Sequence, residues 1–428
     1  MYKIASIIFP LLIAFTGVEA AGPNYPFPTY ATTTYYPGVI MPSNVSKAAM
    51  ATKIQTLYTF WKQEYLRTMP DAPDQMYVFY NEDGESEPKN AVAVSEGQGY
   101  GMILSAYMAG YDAEAQTIFD NLFRFCRAFE SVITPSLIGW QQVEEDGVID
   151  YNPDGGDDSA TDGDMDVAYA LLLANKQWGS TGGINYLEEA ERMISDMITA
   201  DVNLEKFTLT LGDWVEEDDP PYTKATRPSD FMLNHLKIFA AVSGDTRWNT
   251  VTDKCYSIIN ELYDHYAPNT GLLPDFAQYE NGAYVPADED FLERIEDGFY
   301  SWNACRTPWR IALDYILTGD IRAINQLTKL NSWIRSATNG LASDVNAGYE
   351  LDGTLLPDEE GDFFDDLAFT TPFAVSAMIN STNQAWLNAL WTYTSNYPSD
   401  EANYFANSLR LLSLLVVSGN WWTPLNLP

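Results

Sequence analysis

Histidine, cysteine and basic side chains are all scarce in this chain of 428 residues. The two histidines, His235 and His265, lie far apart, too few and too isolated for a metal centre or a serine triad, and no GxSxG or phosphate-binding P-loop occurs. The three cysteines, Cys126, Cys255 and Cys305, show no CxxC spacing, allow at most one disulfide, and sit in apolar helical contexts that suit buried free thiols. Only 23 Lys and Arg stand against 60 Asp and Glu, a formal charge of -37, so there is no basic stripe to meet nucleic-acid phosphates or an anionic membrane surface. That charge fits either long-range attraction of a polycation such as chitosan or a solvated acidic surface with no partner. Beyond the first residues no uninterrupted apolar run reaches the roughly 18 residues of a spanning helix.

What is present begins with Met1-Tyr2-Lys3, an apolar run from Ile4 to Phe15, and Thr16-Gly17-Val18-Glu19-Ala20-Ala21. This is the layout of a cleavable export signal, residues 1–20, and predicts an extracellular protein. Residues 21–43 are rich in Pro and Tyr, lack a helical period, and read as an extended arm. From residue 44 to 428 a single domain is expected, in which helical patterns recur at 44–67, 96–109, 112–131, 162–176, 184–199, 229–243, 246–266, 303–318, 320–338, 366–380, 383–396 and 402–418.

The patterns pair. Gly110-Tyr111-Asp112, Gly244-Asp245 and Gly319-Asp320 each stop one helix with glycine and start the next with a capping aspartate. Glu96, Asp162, Asp230, Asn303 and Asp366 fall near the starts of successive first helices, roughly 63 to 73 residues apart, which predicts stacked helical hairpins with these residues on one rim. Spacing alone leaves the array open or closed.

Two of these starts are chemically unusual. Ser95-Glu96-Gly97-Gln98-Gly99-Tyr100-Gly101 sets a carboxylate among three glycines, which leave room for another molecule to come close to the backbone. Ala160-Thr161-Asp162-Gly163-Asp164-Met165-Asp166 again puts acidic residues before an apolar helical stretch. Together with Trp302-Asn303-Ala304-Cys305-Arg306-Thr307-Pro308-Trp309-Arg310, in this order, the runs resemble the signatures of glycoside hydrolase family 8, inverting endo-acting enzymes on β-1,4-linked glucans, xylans or chitosan. The resemblance implies an all-α fold, an (α/α)6 double ring of six inner and six outer helices, acting without cofactor or metal. It implies a polysaccharide substrate, β-glucan or chitosan, and a protein expected to be monomeric.

Carried over by motif, Glu96 is the general acid, Asp162 holds and distorts the sugar beside the scissile bond, and Arg306 orients the base and its water. The alternatives are a first-turn glutamate satisfied by backbone amides, a cation loop formed with Asp157, Asp158, Asp164 and Asp166, and a structural ion pair. An EF-hand begun at Asp162 fails, since Val167 stands where glycine is needed and Leu173 where glutamate is needed. Many family members carry a basic aspartate where this chain has Asn303, and an amide cannot accept the proton. One branch has asparagine there and a glutamate on a preceding loop. Here the loop is Pro286 to Gly298, in which Glu293, flanked by Phe291 and Leu292 as anchors, is the expected base, with Glu289, Asp290 and Glu296 as competitors. Inversion requires the two carboxyl groups to stand about 6.5–9.5 Å apart.

Tyr100, Trp140, Trp214, Trp302 and Asn303 are expected to bind sugar, the aromatic faces by stacking, although each aromatic also suits the core. Three function classes remain: an endo-hydrolase, an endo-xylanase included; a non-catalytic glycan-binding protein on the same scaffold, suggested by Asn303; and a metal-dependent terpene cyclase, disfavoured by the export signal.

Overall fold

The computed structural model describes residues 22–29, 35–81, 84, 86–216, 220–356, 366–400 and 403–425; the expected export signal lies outside them. Twelve α-helices occur among the described residues: α1 (Lys47–Tyr65), α2 (Ser95–Met108), α3 (Ala115–Ala128), α4 (Thr161–Trp178), α5 (Tyr186–Ala200), α6 (Leu233–Ser243), α7 (Arg247–His265), α8 (Thr307–Thr318), α9 (Ile324–Ala337), α10 (Leu367–Ala377), α11 (Gln384–Asn396) and α12 (Tyr404–Val417). Each falls on one of the periodic segments. The starts of α6, α8 and α9 come about four residues late, because the tighter 3-10 turns Pro228–Asp230, Ala304–Arg306 and Ile321–Ala323 precede them.

The even-numbered helices are buried nearly all round, polar residues such as Asp164 and Asp166 of α4 and Arg410 of α12 included. All eleven residues of α10 are buried, whereas α3 buries one face through Ile118, Phe119, Leu122, Phe123 and Cys126, so α10 lies inside and α3 outside. The inner helices meet in succession. α2 packs on α4, α8 on α10, α10 on α12, and α12 on both α1 and α2. Tyr169 of α4 stacks on His235 of α6 with centroids 3.7 Å apart, and Lys237 of α6 is paired with Asp314 of α8 at 2.5 Å. Gly110, Gly244 and Gly319 all have positive φ as read, but of the three aspartates only Asp320 caps the element that follows; Asp112 and Asp245 lie one or two residues before the cap positions Glu114 and Thr246 and instead close the turn by accepting the backbone N–H two residues on.

A purely helical chain is nevertheless not what forms. Among the described residues ten short strands make four antiparallel sheets: β1 (Leu66–Thr68) with β2 (Met76–Val78); β3 (Ala91–Val94), β4 (Gln141–Glu145) and β5 (Val148–Tyr151); β6 (Val202–Asn203) with β7 (Thr208–Leu209); and β8 (Ala225–Thr226), β9 (Ala277–Glu280) and β10 (Ala283–Pro286). They lie in the loops that precede inner helices. β3 runs directly into α2, and β8 ends one residue before the turn that leads into α6.

The arm is not a free linker. Its backbone N–H groups at Asn24, Phe27, Tyr36 and Ile40 donate to the carbonyls of Gln177, Ala109, Ile316 and Met378, at the C-terminal ends of α4, α2, α8 and α10. Tyr25 stacks on Trp422 at 4.8 Å and Phe27 is buried. Glu96 sits at the opposite end of α2, some 20 Å away at about 1.5 Å rise per residue. Phe27→Ala is therefore expected to cost about 3 kcal/mol and lower the melting temperature by several degrees while leaving kcat at the parental value, as paired calorimetry and rate measurements will show.

Candidate active site

β3 enters α2 at Ser95, whose N–H donates to the carbonyl of Trp140, and this brings Glu96 into the first helical turn. Its side chain is 16% exposed. Tyr100, one turn on, donates its hydroxyl to Glu96 Oε1 at 2.7 Å, and Arg306 donates Nη1 to the same oxygen. The three glycines do something other than expected. A Cβ on Gly99 would stand 2.7 Å from Asp166 Cβ, and one on Gly101 would stand 2.7 Å from Val78 Cγ2. Their absent side chains let α4 and β2 close on α2 rather than opening the backbone to a ligand.

Beside Glu96 a closed circuit of side chains forms. Arg306 Nη1 also donates to Asp162 Oδ2 at 2.8 Å, and Arg227 Nη1 approaches that oxygen at 3.5 Å. Arg227 Nη2 donates to Glu293 Oε1 at 3.1 Å. Asn303 Nδ2 donates to Glu293 Oε2 at 2.8 Å, while Asn303 Oδ1 accepts from Arg306 Nη2 at 2.7 Å, which completes the loop. The asparagine thus acts as a two-ended spacer. An aspartate there would lack the N–H that Glu293 receives. Arg306 reaches the side of Glu96 and Asp162, and meets Glu293 only through Asn303, a different orientation from the one expected.

Two buried aspartates, absent from the motifs, set this geometry. Asp275 accepts N–H bonds from Ser301, Asn303 and Ala304 at 2.9, 3.2 and 2.6 Å, fixing the turn into α8. Asp297 accepts from the N–H groups of Leu292, Glu293 and Arg294 at 2.7, 2.9 and 3.0 Å, curling the loop around the glutamate. Phe291 anchors the loop as expected, against Phe276 and Tyr222, but Leu292 is exposed and anchors nothing. Of the competing carboxylates, Glu289 lines a separate surface pocket with Tyr266 and Ile295, Asp290 is an exposed left-handed residue, and Glu296 has no described side-chain partner in the circuit. Arg227, Ser229, Asp275 and Asp297 escaped the sequence reading. The Arg227-Pro228-Ser229-Asp230 run, in phase with the other rim starts, was the available signal for the first two.

The electrostatics divide the carboxylates by role. Burial lifts Glu96 above the ordinary carboxyl range, with neighbouring Asp162 adding to the lift and Arg306 opposing it. Burial would lift Asp162 too, but Arg227 and Arg306 together outweigh it and hold it low. Glu96 is thus biased toward keeping a proton and Asp162 toward a negative charge, two settings that acid catalysis and cation stabilisation require.

Three other aspartates, Asp158, Asp230 and Asp275, are pushed up to about 7, in each case mainly by burial. Asp164 and Asp201 are driven well above the usual range by burial and by their acidic neighbours. A carboxyl raised in the folded state contributes stability fully below its unfolded value of about 3.9 and loses it as pH climbs through the folded value. Carboxylates held low, Asp112 and Asp320 among them, act in the opposite sense below about pH 4. The melting temperature is expected to be higher at about pH 5 than at about pH 7.5; a melting curve flat or rising with pH over that span contradicts it.

The remaining acids of the second motif point different ways. Asp164 Oδ1 accepts from the Ile138 N–H at 3.0 Å, and Asp166 takes both Arg310 prongs and lies 3.2 Å from His235 Nε2, tying α4, α8 and α6 together beneath the site. Among the described residues no group of three or more His, Cys, Asp or Glu is arranged to hold a metal ion. The three cysteines are free and buried. Tyr100 is fully buried behind Glu96, so its ring presents no face to a sugar. Trp140, Trp214 and Trp302 are half-buried on the rim: Trp140 Nε1 donates to Gly155 O at 2.6 Å, Trp214 meets Tyr222 edge-on at 5.2 Å, and Trp302 meets Phe369 edge-on at 5.0 Å.

Comparison with known proteins places this geometry in context. A family model described as Glycosyl hydrolases family 8 matches residues 48–419. A beta-glucanase of Niallia circulans is 46% identical over 423 residues, 99% of this chain and 96% of that one. An endoglucanase of Bacillus sp. strain KSM-330 is 39% identical, covering 94% of this chain and 82% of its own. The apo structure of a beta-1,3-1,4-glucanase from Paenibacillus sp. X4 is 47% identical and superposes with a TM-score of 0.86 over 94% of this chain and all of that one.

Proposed function

Because the chain belongs to glycosyl hydrolases family 8 and is an endo-acting glucan hydrolase, we propose that it cuts internal β-1,4 bonds of cellulose-type or mixed-linkage β-glucan with inversion, Glu96 serving as acid and Glu293 as base. The observation that carries the assignment is the bond from Asn303 Nδ2 to Glu293 Oε2, which brings a loop carboxylate to the position an amide cannot fill. In this reading the twelve helices form the (α/α)6 double ring, the arm spans its far end, and the exported protein acts as a monomer on extracellular polymer.

The reaction follows from the settings of the two carboxyls. Glu96 gives its proton to the glycosidic oxygen as the bond to C1 lengthens, and positive charge spreads over the ring oxygen and C1. Asp162, held anionic by two guanidinium groups, offers the nearest fixed negative charge to that cation. Water on the opposite face passes a proton to Glu293 and bonds to C1, giving the α-configured product. Solvent exchange then restores Glu96 and Glu293.

The test is the release of reducing ends from lichenan, carboxymethyl cellulose, chitosan and xylan under one set of conditions. Turnover of a β-glucan above the other two polymers is the expected result. Faster turnover of chitosan would give the acidic surface the polycation-steering role and overturn the glucan assignment.

A further inference from the structure

We propose that Arg227 is the positioning residue of the catalytic base: its guanidinium grips the Glu293 carboxylate with one prong and faces the Asp162 carboxylate with the other, fixing the loop-borne base relative to the sugar-holding aspartate. The inference rests on the assignment of Glu293 as base and goes beyond it. Glu293 needs such a grip. Its side chain is 37% exposed on a loop outside any helix or strand, and an untethered glutamate there would spread over several rotamers, whereas a general base must stay within hydrogen-bonding reach of one water. Asp297 fixes only its backbone, so the described bonds to the carboxylate itself come from Asn303 and Arg227.

Arg227 is built to be still. It follows β8, which pairs with β9 through Ala225–Gln278 and Thr226–Ala277, and it precedes Pro228 at the first position of a 3-10 turn. The guanidinium lies 5.1 Å over the ring of Phe276, and only 11% of the side chain is exposed. Phe276 also packs against Phe291, so the residue under the arginine and the residue anchoring the Glu293 loop touch. The planar fork serves two acceptors at once, which a lysine ammonium cannot do in the same geometry. The positive charge also stands within 3.5 Å of the Asp162 carboxylate and 3.1 Å of the Glu293 carboxylate and offsets the charge of both.

The test compares Arg227→Met, Arg227→Lys, Glu293→Ala and the Arg227→Met/Glu293→Ala double variant, all full-length, on lichenan, with thermal melts to establish folding. Arg227→Met is expected to lower kcat about tenfold to a hundredfold with KM within about twofold, since misplacing a catalytic group by about an ångström costs on this order. The acid limb of its pH–rate profile should move to higher pH, and Arg227→Lys should restore part of kcat. In azide, Arg227→Met should cost several-fold less in the Glu293→Ala background than in the parental enzyme, because the part of its effect that runs through Glu293 is gone and only its share in holding Asp162 anionic, which Arg306 still supports, remains. Parental kcat with an unmoved acid limb in Arg227→Met, a rise in KM alone, or an azide-supported rate that Arg227→Met lowers by the same factor as the parental rate would each overturn the proposal. If Arg227→Met fails to fold, the Lys variant decides, and parental kcat and limb there overturn it. Failure of the underlying assignment looks different: Glu293→Ala itself would keep the parental rate.

Discussion

Glu96→Gln is expected to lower kcat on β-glucan by about a hundredfold or more, because it deletes the proton that the leaving oxygen requires. The amide keeps the volume of the acid, and its carbonyl can still accept from Tyr100 and Arg306, the two donors that hold Glu96 Oε1. Folding and polymer binding should therefore persist. Initial rates of reducing-end release, set beside a thermal melt, make the comparison. A folded variant that keeps more than about a tenth of the parental rate would remove Glu96 from the acid role, given the size of general-acid effects.

The second large effect is at Glu293. Glu293→Ala should also lose about a hundredfold or more in kcat, since no other described carboxylate of the Pro286–Gly298 loop joins the circuit at Asn303. Azide should restore part of the rate, because a small anion fits the space left by the carboxylate and attacks C1 without needing a base. Thermal stability should change little, as the exposed side chain contributes one ion pair and one hydrogen bond at the rim. A parental rate would pass the role to Glu289, Asp290 or Glu296.

Much of this site was legible because it is built on helix starts. An apolar period of 3.6 residues is long-lived in sequence, and glycine followed by a capping aspartate marks where one helix gives way to the next, so the twelve helices and the rim residues Glu96, Asp162 and Asn303 could be placed by phase. The strands could not. With two to five residues each, they are too short to show alternation, and their pairing is decided across the loops, as where Ala225 meets Gln278.

The misreadings have a common source. The pattern around Gly99 and Gly101 suggests clearance for a ligand, yet their space is taken by Asp166 and Val78, the former distant in sequence. For Tyr100 the sequence leaves both a sugar platform and the core open, and the core is where it lies, because a helix turns a residue four positions on back toward the same side chain and its hydroxyl serves Glu96 from there. The motif assigns Arg306 to the base, whereas its fork straddles Glu96 and Asp162 on one side and Ser229 and Asn303 on the other. Arg227, Asp275 and Asp297 belong to no motif. They act through loop backbone and a neighbouring loop's carboxylate, and nothing local distinguishes such residues from solvated surface charge.

The most direct test of the acid–base pair is the product formed when Glu293→Ala hydrolyses a mixed-linkage oligosaccharide in azide, followed by proton NMR. The pairing of Glu96 with Glu293 predicts an α-configured glycosyl azide, formed as Glu96 protonates the leaving oxygen and azide enters from the face that Glu293 vacated. A β-configured azide, or a variant that turns over at the parental rate with no azide adduct, would contradict it.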